Sequence, residues 1–207
     1  MQLYITDGSP YARIARMVVI EKGLENQVEI VSAQTRHAGS PYYAINPSGR
    51  VPYLVRDDAV GMEESAVICG YLDHLSAEPM FALPTGAAHW EALRLEARAR
   101  SMLDGLAVWM RELRRPVNER SPTILRHEAE RAARMADLWD REIGHAWMHG
   151  GLNMAQLTLA CALALEGRCG DFAWRPGRGR LERWFDAFAV RPSFQRTAPA
   201  NPRPAAA

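Results

Sequence analysis

The chain has 207 residues and balances Lys+Arg 25 against Asp+Glu 24, a formal charge of +1. That balance gives no global field to gather nucleic acid or anionic lipid, so neither nucleic acid nor membrane is expected as a partner. Three irregularly spaced cysteines, six histidines that form no ligand cluster and the absence of HExxH, Walker or GxGxxG patterns lower the case for disulfide, metal and nucleotide chemistry alike, and no metal is expected.

From the N-terminus, "LYIT" (3–6) reads as a strand and "PYARIARMVVIEKG" (10–23) as a helix that stops at Gly23. "VEIV" (28–31) is a second strand, which makes a βαβ unit with parallel neighbours. A loop rich in Gly, Ser, Pro and Asn follows, with room for one or two helical turns. "VPYLVR" (51–56) is a third strand and about 59–63 a short fourth, joined by a turn at Asp57-Asp58. In "ESAVICGYLDHL" (64–75) Val67, Ile68, Tyr71, Leu72 and Leu75 have the spacing of one buried helical face.

From Ala87 onward strand-like alternation disappears and Ala, Leu, Arg and Glu recur at helical spacing. Helices are expected over about 87–115, 122–148, 153–166 and 179–190, separated by Pro116, Pro122, Gly150-Gly151 and "RPGRG". The domains expected are therefore 1–77 and 87–197, with 198–207 a flexible Pro- and Ala-rich tail. The start "MQLYITDGSP" lacks the basic region of a signal peptide, and no apolar run approaches a membrane span, which leads to the expectation of a cytoplasmic protein.

Ser9 suits the N-cap of the first helix and Pro10 its first helical position. The same position gathers a hydroxyl and backbone N–H groups at a helix N-terminus, where an anion is favoured. "SPYARIAR" (9–16), "NPSGRVPYL" (46–54), "EES" before a helix, and the ending "RPSFQRTAP" (191–199) resemble, in this order, motifs of the glutathione S-transferase superfamily. The resemblance covers nearly the whole chain and is closest to bacterial serine-type members. It implies a thioredoxin-like α/β domain followed by an all-α domain.

The resemblance also implies roles. Pro52 would be cis, so that Val51 offers its backbone N–H and C=O to an extended peptide as an added strand would. Glu64 would take the ammonium of glutathione, and Ser65 with the helix amides its α-carboxylate. Ordinary helix capping by Ser65 is the plainer reading of that pair. Arg50 would meet the glycyl carboxylate, and Arg36 or His37 would stand in for a basic group that the family often carries near 37–40. "SPYA" lacks both cysteines of a CxxC site, so dithiol redox chemistry is excluded there. Ser9 would instead donate to the glutathione thiolate, with Tyr4 and Tyr11 as rival hydroxyls and Arg13 either a nearby positive charge or part of a structural ion pair.

Met102, Leu106 and Trp109 share a face of the first long helix, which in the family borders the electrophile pocket with Tyr11, although such spacing also describes plain core. Asn153 and Gln156 fit a capping box. The function expected is glutathione transferase chemistry, in a homodimer, with glutathione as co-substrate and a small hydrophobic electrophile as its partner. The alternatives are a glutathione-dependent isomerase or thiol-reductive enzyme, and a non-catalytic interaction module of the same fold.

Overall fold

A computed structural model describes residues 1–75, 78–170 and 172–199. They form two compact units, one of Met1–Ala82 together with Pro192 onward, the other of Leu83–Arg191. The return of residues 192–199 to the first unit differs from the expected grouping of the chain up to 197 with the helical domain. The domain edge expected at 77 and the tail from 200 to 207 lie outside the described residues.

The first unit is built on a four-stranded sheet of order β2-β1-β3-β4, with β1 at Gln2–Ile5, β2 at Glu29–Ser32, β3 at Tyr53–Val55 and β4 at Gly61–Met62. β1 pairs parallel with β2 and antiparallel with β3, and β3 pairs antiparallel with β4. β1 and β4 therefore point the same way. Helix α1 (Pro10–Glu21) follows β1, the four-residue α2 (Tyr42–Ile45) lies between β2 and β3, and α3 (Ser65–His74) follows β4.

Alternation along β1 sends Leu3 and Ile5 inward to join Leu54. Ala12, Ile14, Ala15, Met17 and Val18 of α1, with Ile68, Cys69 and Leu72 of α3, complete this core. All four expected strands are present with shifted ends. The third starts only at Tyr53, because Pro52 has no N–H for a ladder. Gly61 is needed for space, since a Cβ there would fall 1.7 Å from the Tyr53 hydroxyl oxygen.

α1 ends as its glycine implies. Gly23 has φ 63°, Gly23 N donates to Ile20 O at 3.0 Å and Leu24 N to Val19 O at 2.8 Å, a left-handed helix stop with buried Leu24 behind it. Next to this stop, Lys22 Nζ lies 2.9 Å from Asp73 Oδ1 with the two side chains only 3% and 4% exposed. Asp73 also accepts from Met80 N at 2.8 Å and Phe81 N at 3.0 Å, and Lys22 donates to Glu78 O at 2.8 Å. One carboxylate thus joins the ends of α1 and α3 to the segment that leaves the unit.

α8 (Pro192–Arg196) closes the unit against α1. The guanidinium of buried Arg13 stacks 3.8 Å from the centre of the Phe194 ring. It donates to Phe194 O at 2.7 Å and to Thr197 Oγ1 at 3.4 Å. Ser193 donates to Glu21, and Arg196 Nη1 lies 2.9 Å from Glu25 Oε1. The chain's return is set by polar contacts between residues far apart in sequence, and helical periodicity carries no signal for them.

The second unit contains α4 (Ala87–Leu113), α5 (Pro122–Glu142), α6 (Met154–Leu163) and α7 (Gly179–Ala189). α6 is apolar on every side and buried along almost its whole length, the pattern of a central helix. α4 and α5 approach closely at Gly105, where a Cβ would fall 2.6 Å from Glu128 Oε2. Glu142 ties the same two helices through Arg94, at 2.9 Å, and Arg98.

The helix expected over 122–148 stops at Glu142, and Ala146–Met148 form a separate 3-10 turn capped by His145, whose Nδ1 accepts from Trp147 N at 3.1 Å. The capping box of α6 forms by half. Asn153 Oδ1 accepts from Gln156 N at 3.1 Å. Gln156 Nε2 turns to Trp147 O at 3.3 Å, a carbonyl that Asn153 Nδ2 also reaches at 2.7 Å. α7 lacks a cap of its own and borrows one, as Asp140 Oδ1 accepts from both Arg180 N and Leu181 N at 2.9 Å. Among the described residues no helix is long and apolar enough to cross a membrane.

Asp73→Ala leaves the Lys22 ammonium buried beside an empty place, and a loss of about 3–5 kcal/mol is expected in urea unfolding at pH 7. Burial pushes the Asp73 carboxyl up, but the Lys22 ammonium and the Met80 and Phe81 amides outweigh it and hold the group below its ordinary value. Its stabilisation is therefore full above the unfolded carboxyl pKa of about 3.9 and is lost as pH falls through the lower folded value. The gap between mutant and parent narrows at pH 3, and the double variant Lys22→Met/Asp73→Leu recovers most of the loss.

Candidate active site

The shared direction of β1 and β4 brings the starts of α1 and α3 to one end of the sheet. β3 runs the other way, with Tyr53 opposite Tyr4, so the segment that leads into β3 arrives at that same end. Ser9, Val51-Pro52 and Glu64-Ser65 therefore meet at one edge of the first unit.

Ser9 caps α1. It has extended backbone angles, and its Oγ accepts from Ala12 N at 3.2 Å while Pro10 fills the first helical position. The cap uses an acceptor lone pair and leaves the O–H hydrogen to donate elsewhere. No acid sits in the first turn of α1, and Asp7, just before the cap, lies 3.8 Å from Arg16 Nη1. Tyr11, the next residue but one, is half-buried.

The rival Tyr4 hydroxyl is turned away. It donates to Gln2 Oε1 at 3.0 Å, toward the beginning of β1, and its ring packs 5.6 Å from that of Tyr42. Arg13 is committed to α8, as described above.

The Val51-Pro52 peptide bond is cis. The loop before it is organised by buried Asn46, a residue that motif reading passed over. Asn46 Oδ1 accepts from Ser48 N at 3.0 Å, and its Nδ2 donates to Arg50 O at 3.0 Å. The Tyr42 hydroxyl reaches the same carbonyl at 2.5 Å. The available signal is the Asn-Pro-Ser-Gly run, because an Asn side chain before such a sequence readily forms a local turn with the amide two residues on. Arg50 itself is exposed, with its backbone fixed and its side chain in solvent. His37 is also exposed, in the loop between β2 and α2, where its carbonyl accepts from Ser40 N at 3.1 Å.

Glu64 is the N-cap of α3 and has φ 42° and ψ 145°, a left-handed conformation that costs a non-glycine residue about 1–3 kcal/mol. Its Oε1 accepts from Ser65 N and, at 2.8 Å, from Ser65 Oγ. The order of capping is thus the reverse of the plain reading, since Glu64 is the cap and Ser65 the donor. Ser65 is only 1% exposed. Neighbouring Glu63 is held by the loop, accepting from Ser48 Oγ at 2.6 Å.

The expected pocket residues of α4 divide. Met102 and Leu106 are 1% exposed inside the second unit, the burial that plain core gives. Trp109 packs edge-on to Phe172 at 6.1 Å. It lines a cavity of about 200 Å³ with Ala133, Phe172, Trp174 and Arg178.

Residues 8–75 match the sequence model of the glutathione S-transferase N-terminal domain. The chain is 25% identical over 201 residues to the uncharacterized GST-like protein YibF of Escherichia coli, covering 96% of this chain and 98% of that one. It is 28% identical over 216 residues to glutathione S-transferase 3 of Zea mays, covering 99% and 96%. A glutathione transferase family member from Pseudomonas fluorescens Pf-5 superposes with a TM-score of 0.86 and 27% identity when bound to glutathione, covering 97% of this chain and 99% of that one. With bound S-(propanoic acid)-glutathione it superposes with a TM-score of 0.84 and 28% identity, covering 97% and 100%. The fold is that of the glutathione transferases, a thioredoxin-like domain and a helical domain. The chain is thus similar, over nearly its whole length, to glutathione transferase family members.

The backbone at Glu64 gives a direct test of the geometry. Glu64→Gly accepts the positive φ and is expected to stay within about 1 kcal/mol of the parent, whereas Glu64→Val, branched at Cβ, loses about 1–3 kcal/mol or more. Thermal unfolding of the two variants side by side reads the difference.

Proposed function

We propose that this protein binds glutathione along the edge formed by Ser9, Val51-Pro52 and Glu64-Ser65, stabilises its thiolate, and promotes attack of the sulfur on a small apolar electrophile. The observation that carries this reading is the convergence of two helix N-termini and an extended, cis-proline-led strand at one end of the sheet. The family match over residues 8–75 supports it, as does the glutathione held by the P. fluorescens relative.

In the proposed complex the backbone of Val51 pairs with the cysteinyl part of the tripeptide like an added strand. The γ-glutamyl end meets α3. Here Glu64 Oε1 already acts as the anion at the helix start, accepting from the Ser65 amide and hydroxyl. The ligand's α-carboxylate takes over those two donors, and the displaced Glu64 carboxylate turns to the ligand's ammonium, so charge is exchanged and none is left bare. Arg50 and His37, both exposed, are the cations proposed for the glycyl carboxylate.

A free thiol has a pKa of about 8.5. A helix N-terminus favours an anion by about 0.3–2 kcal/mol, which at 1.36 kcal/mol per pKa unit brings the thiol to about 7 at best. The Ser9 O–H, donating to sulfur while its oxygen keeps the cap, supplies the remainder. Orientation of the two reactants adds to the rate. Tyr11 borders the sulfur on the first unit. The protein is proposed to act in the cytoplasm, where glutathione is kept reduced, and as a homodimer, for which the exposed Val60 and Val67 beside β4 and on α3 offer apolar surface.

Ser9→Ala is expected to cost about 1 kcal/mol of stability through the lost cap and to raise the pKa of bound glutathione by about one unit, from about 6 to about 7, which is roughly a threefold loss of thiolate and of kcat/KM at pH 6.5. Ser9→Asp keeps a capping acceptor but sets a carboxylate against the thiolate, so it stays folded and loses turnover. Thiolate absorbance across a pH series measures both. If Ser9→Asp ionises bound glutathione as the parent does, Ser9 is a cap alone.

Glu64→Gln keeps the cap and removes the charge, and about a tenfold weaker glutathione affinity is expected in calorimetry. Unchanged affinity takes Glu64 out of the site.

A further inference from the structure

The chain contains two Asp-Gly pairs, Asp7-Gly8 and Asp104-Gly105, and no Asn-Gly pair. Such a pair carries its own chemistry. Glycine has no Cβ to hinder approach, so its amide nitrogen can reach the carboxyl carbon of the aspartate before it and close a five-membered ring. The fold decides whether that nitrogen and that carboxyl are free to meet.

The two pairs stand in opposite settings. Gly105 lies inside α4, where its N–H belongs to the helical ladder. It also sits so close to α5 that a Cβ would fall 2.6 Å from Glu128 Oε2. Asp7 and Gly8 are instead the two central residues of the turn that Ser9 N closes on Thr6 O at 3.0 Å. The Asp7 side chain is 67% exposed and its ion partner, Arg16 Nη1, is 3.8 Å away, a surface pair that restrains it weakly. Gly8 N has no hydrogen-bond acceptor among the described residues. This turn joins β1 to α1, and the residue that follows it is Ser9, whose Oγ accepts from Ala12 N at 3.2 Å.

We propose that Asp7-Gly8 is a site of spontaneous isomerisation to isoaspartate, and that this modification limits the working life of the Ser9 end of α1. The Gly8 nitrogen bonds to Cγ of the Asp7 carboxyl in its protonated form, and the carboxyl hydroxyl leaves as water with the amide proton, which gives a succinimide. Water then adds to one of the two ring carbonyls. Addition at Cγ breaks the new N–C bond and restores aspartate. Addition at the α-carbonyl carbon breaks the original peptide bond, and the chain runs on through Cγ. One water is lost and one regained, so the mass is unchanged and no oxidant or cofactor enters.

The product has one more methylene in its main chain, and the α-carboxylate becomes the side branch. The path from β1 to Ser9 lengthens by about 1.5 Å, one C–C bond, and the turn closed on Thr6 O loses its register. Resting on the transferase reading above, a displacement of about 1 Å at the donor to sulfur costs on the order of 10²-fold in rate.

The test uses the whole protein, aged for days at neutral pH and then digested with trypsin, which puts the two pairs on peptides 1–13 and 101–111. Isoaspartate is scored as a form of equal mass that separates by chromatography and accepts a methyl group from an isoaspartyl methyltransferase. It is expected to accumulate in 1–13 at least about tenfold faster than in 101–111, because Gly105 reacts only when α4 opens. In urea, with both pairs unfolded, the two rates are expected to converge. Asp7→Glu keeps the charge beside Arg16 but needs a six-membered ring, so it is expected to form no isomer there and to hold its conjugation rate while the parent loses rate in proportion to its isomerised fraction.

Equal rates at the two pairs in the folded protein, or no isoaspartate in 1–13, overturn the site. Isoaspartate at position 7 with undiminished conjugation overturns its consequence. Failure of the fresh parent to bind glutathione in calorimetry removes the transferase reading and leaves the ratio of isomer between the two peptides to decide the site.

Discussion

The site depends on strand direction. Because β3 lies antiparallel between β1 and β4, the two outer members of that trio end at the same edge, and each is followed by a helix whose N-terminus opens there. Had β4 been parallel to β3, α3 would begin at the far end and its amides could not serve a ligand held at Ser9. Two partial positive helix ends at one edge repel each other weakly, and an anion between them relieves the repulsion. The Glu64 carboxylate already occupies one of those ends, accepting from the Ser65 amide and hydroxyl.

Much of this was legible in the sequence because it is encoded locally. Ser9-Pro10 fixes where α1 starts and Gly23 where it stops, each through a backbone requirement of one or two residues. The inward residues Leu3 and Ile5, and Ile68 and Leu72 on α3, follow from period, whereas Val67 and Leu75, expected on the same buried face, are 54% and 39% exposed. The loop into Pro52 was legible through its turn-forming composition. The parallel pairing of β1 with β2 followed from the βαβ sequence of elements.

What escaped notice was the set of contacts whose partners are distant in the chain or whose donor and acceptor roles depend on exact placement. Arg13 offered a charge near the site, and only the return of Phe194 and Thr197 makes it a structural post. Asp140 is one of many acids on an amphipathic helix until α7 begins above it. Glu64 and Ser65 were both read as polar groups at a helix start, but which caps and which donates depends on the positive φ of Glu64, and no propensity rule anticipates a strained glutamate. Met102 and Leu106 have the same spacing whether they line a pocket or fill a core, and spacing alone does not separate the two cases.

The contacts of α8 with α1 also bear on how the chain is made. Arg13 leaves the ribosome well before the ring and carbonyl that hold it, which belong to Phe194. At roughly 5–20 residues added per second, on the order of ten seconds pass between the emergence of the first unit's strands and that of its last helix. During that interval a guanidinium destined for burial stays hydrated on the surface of α1. The first unit is thus completed only after the helical unit has been synthesised.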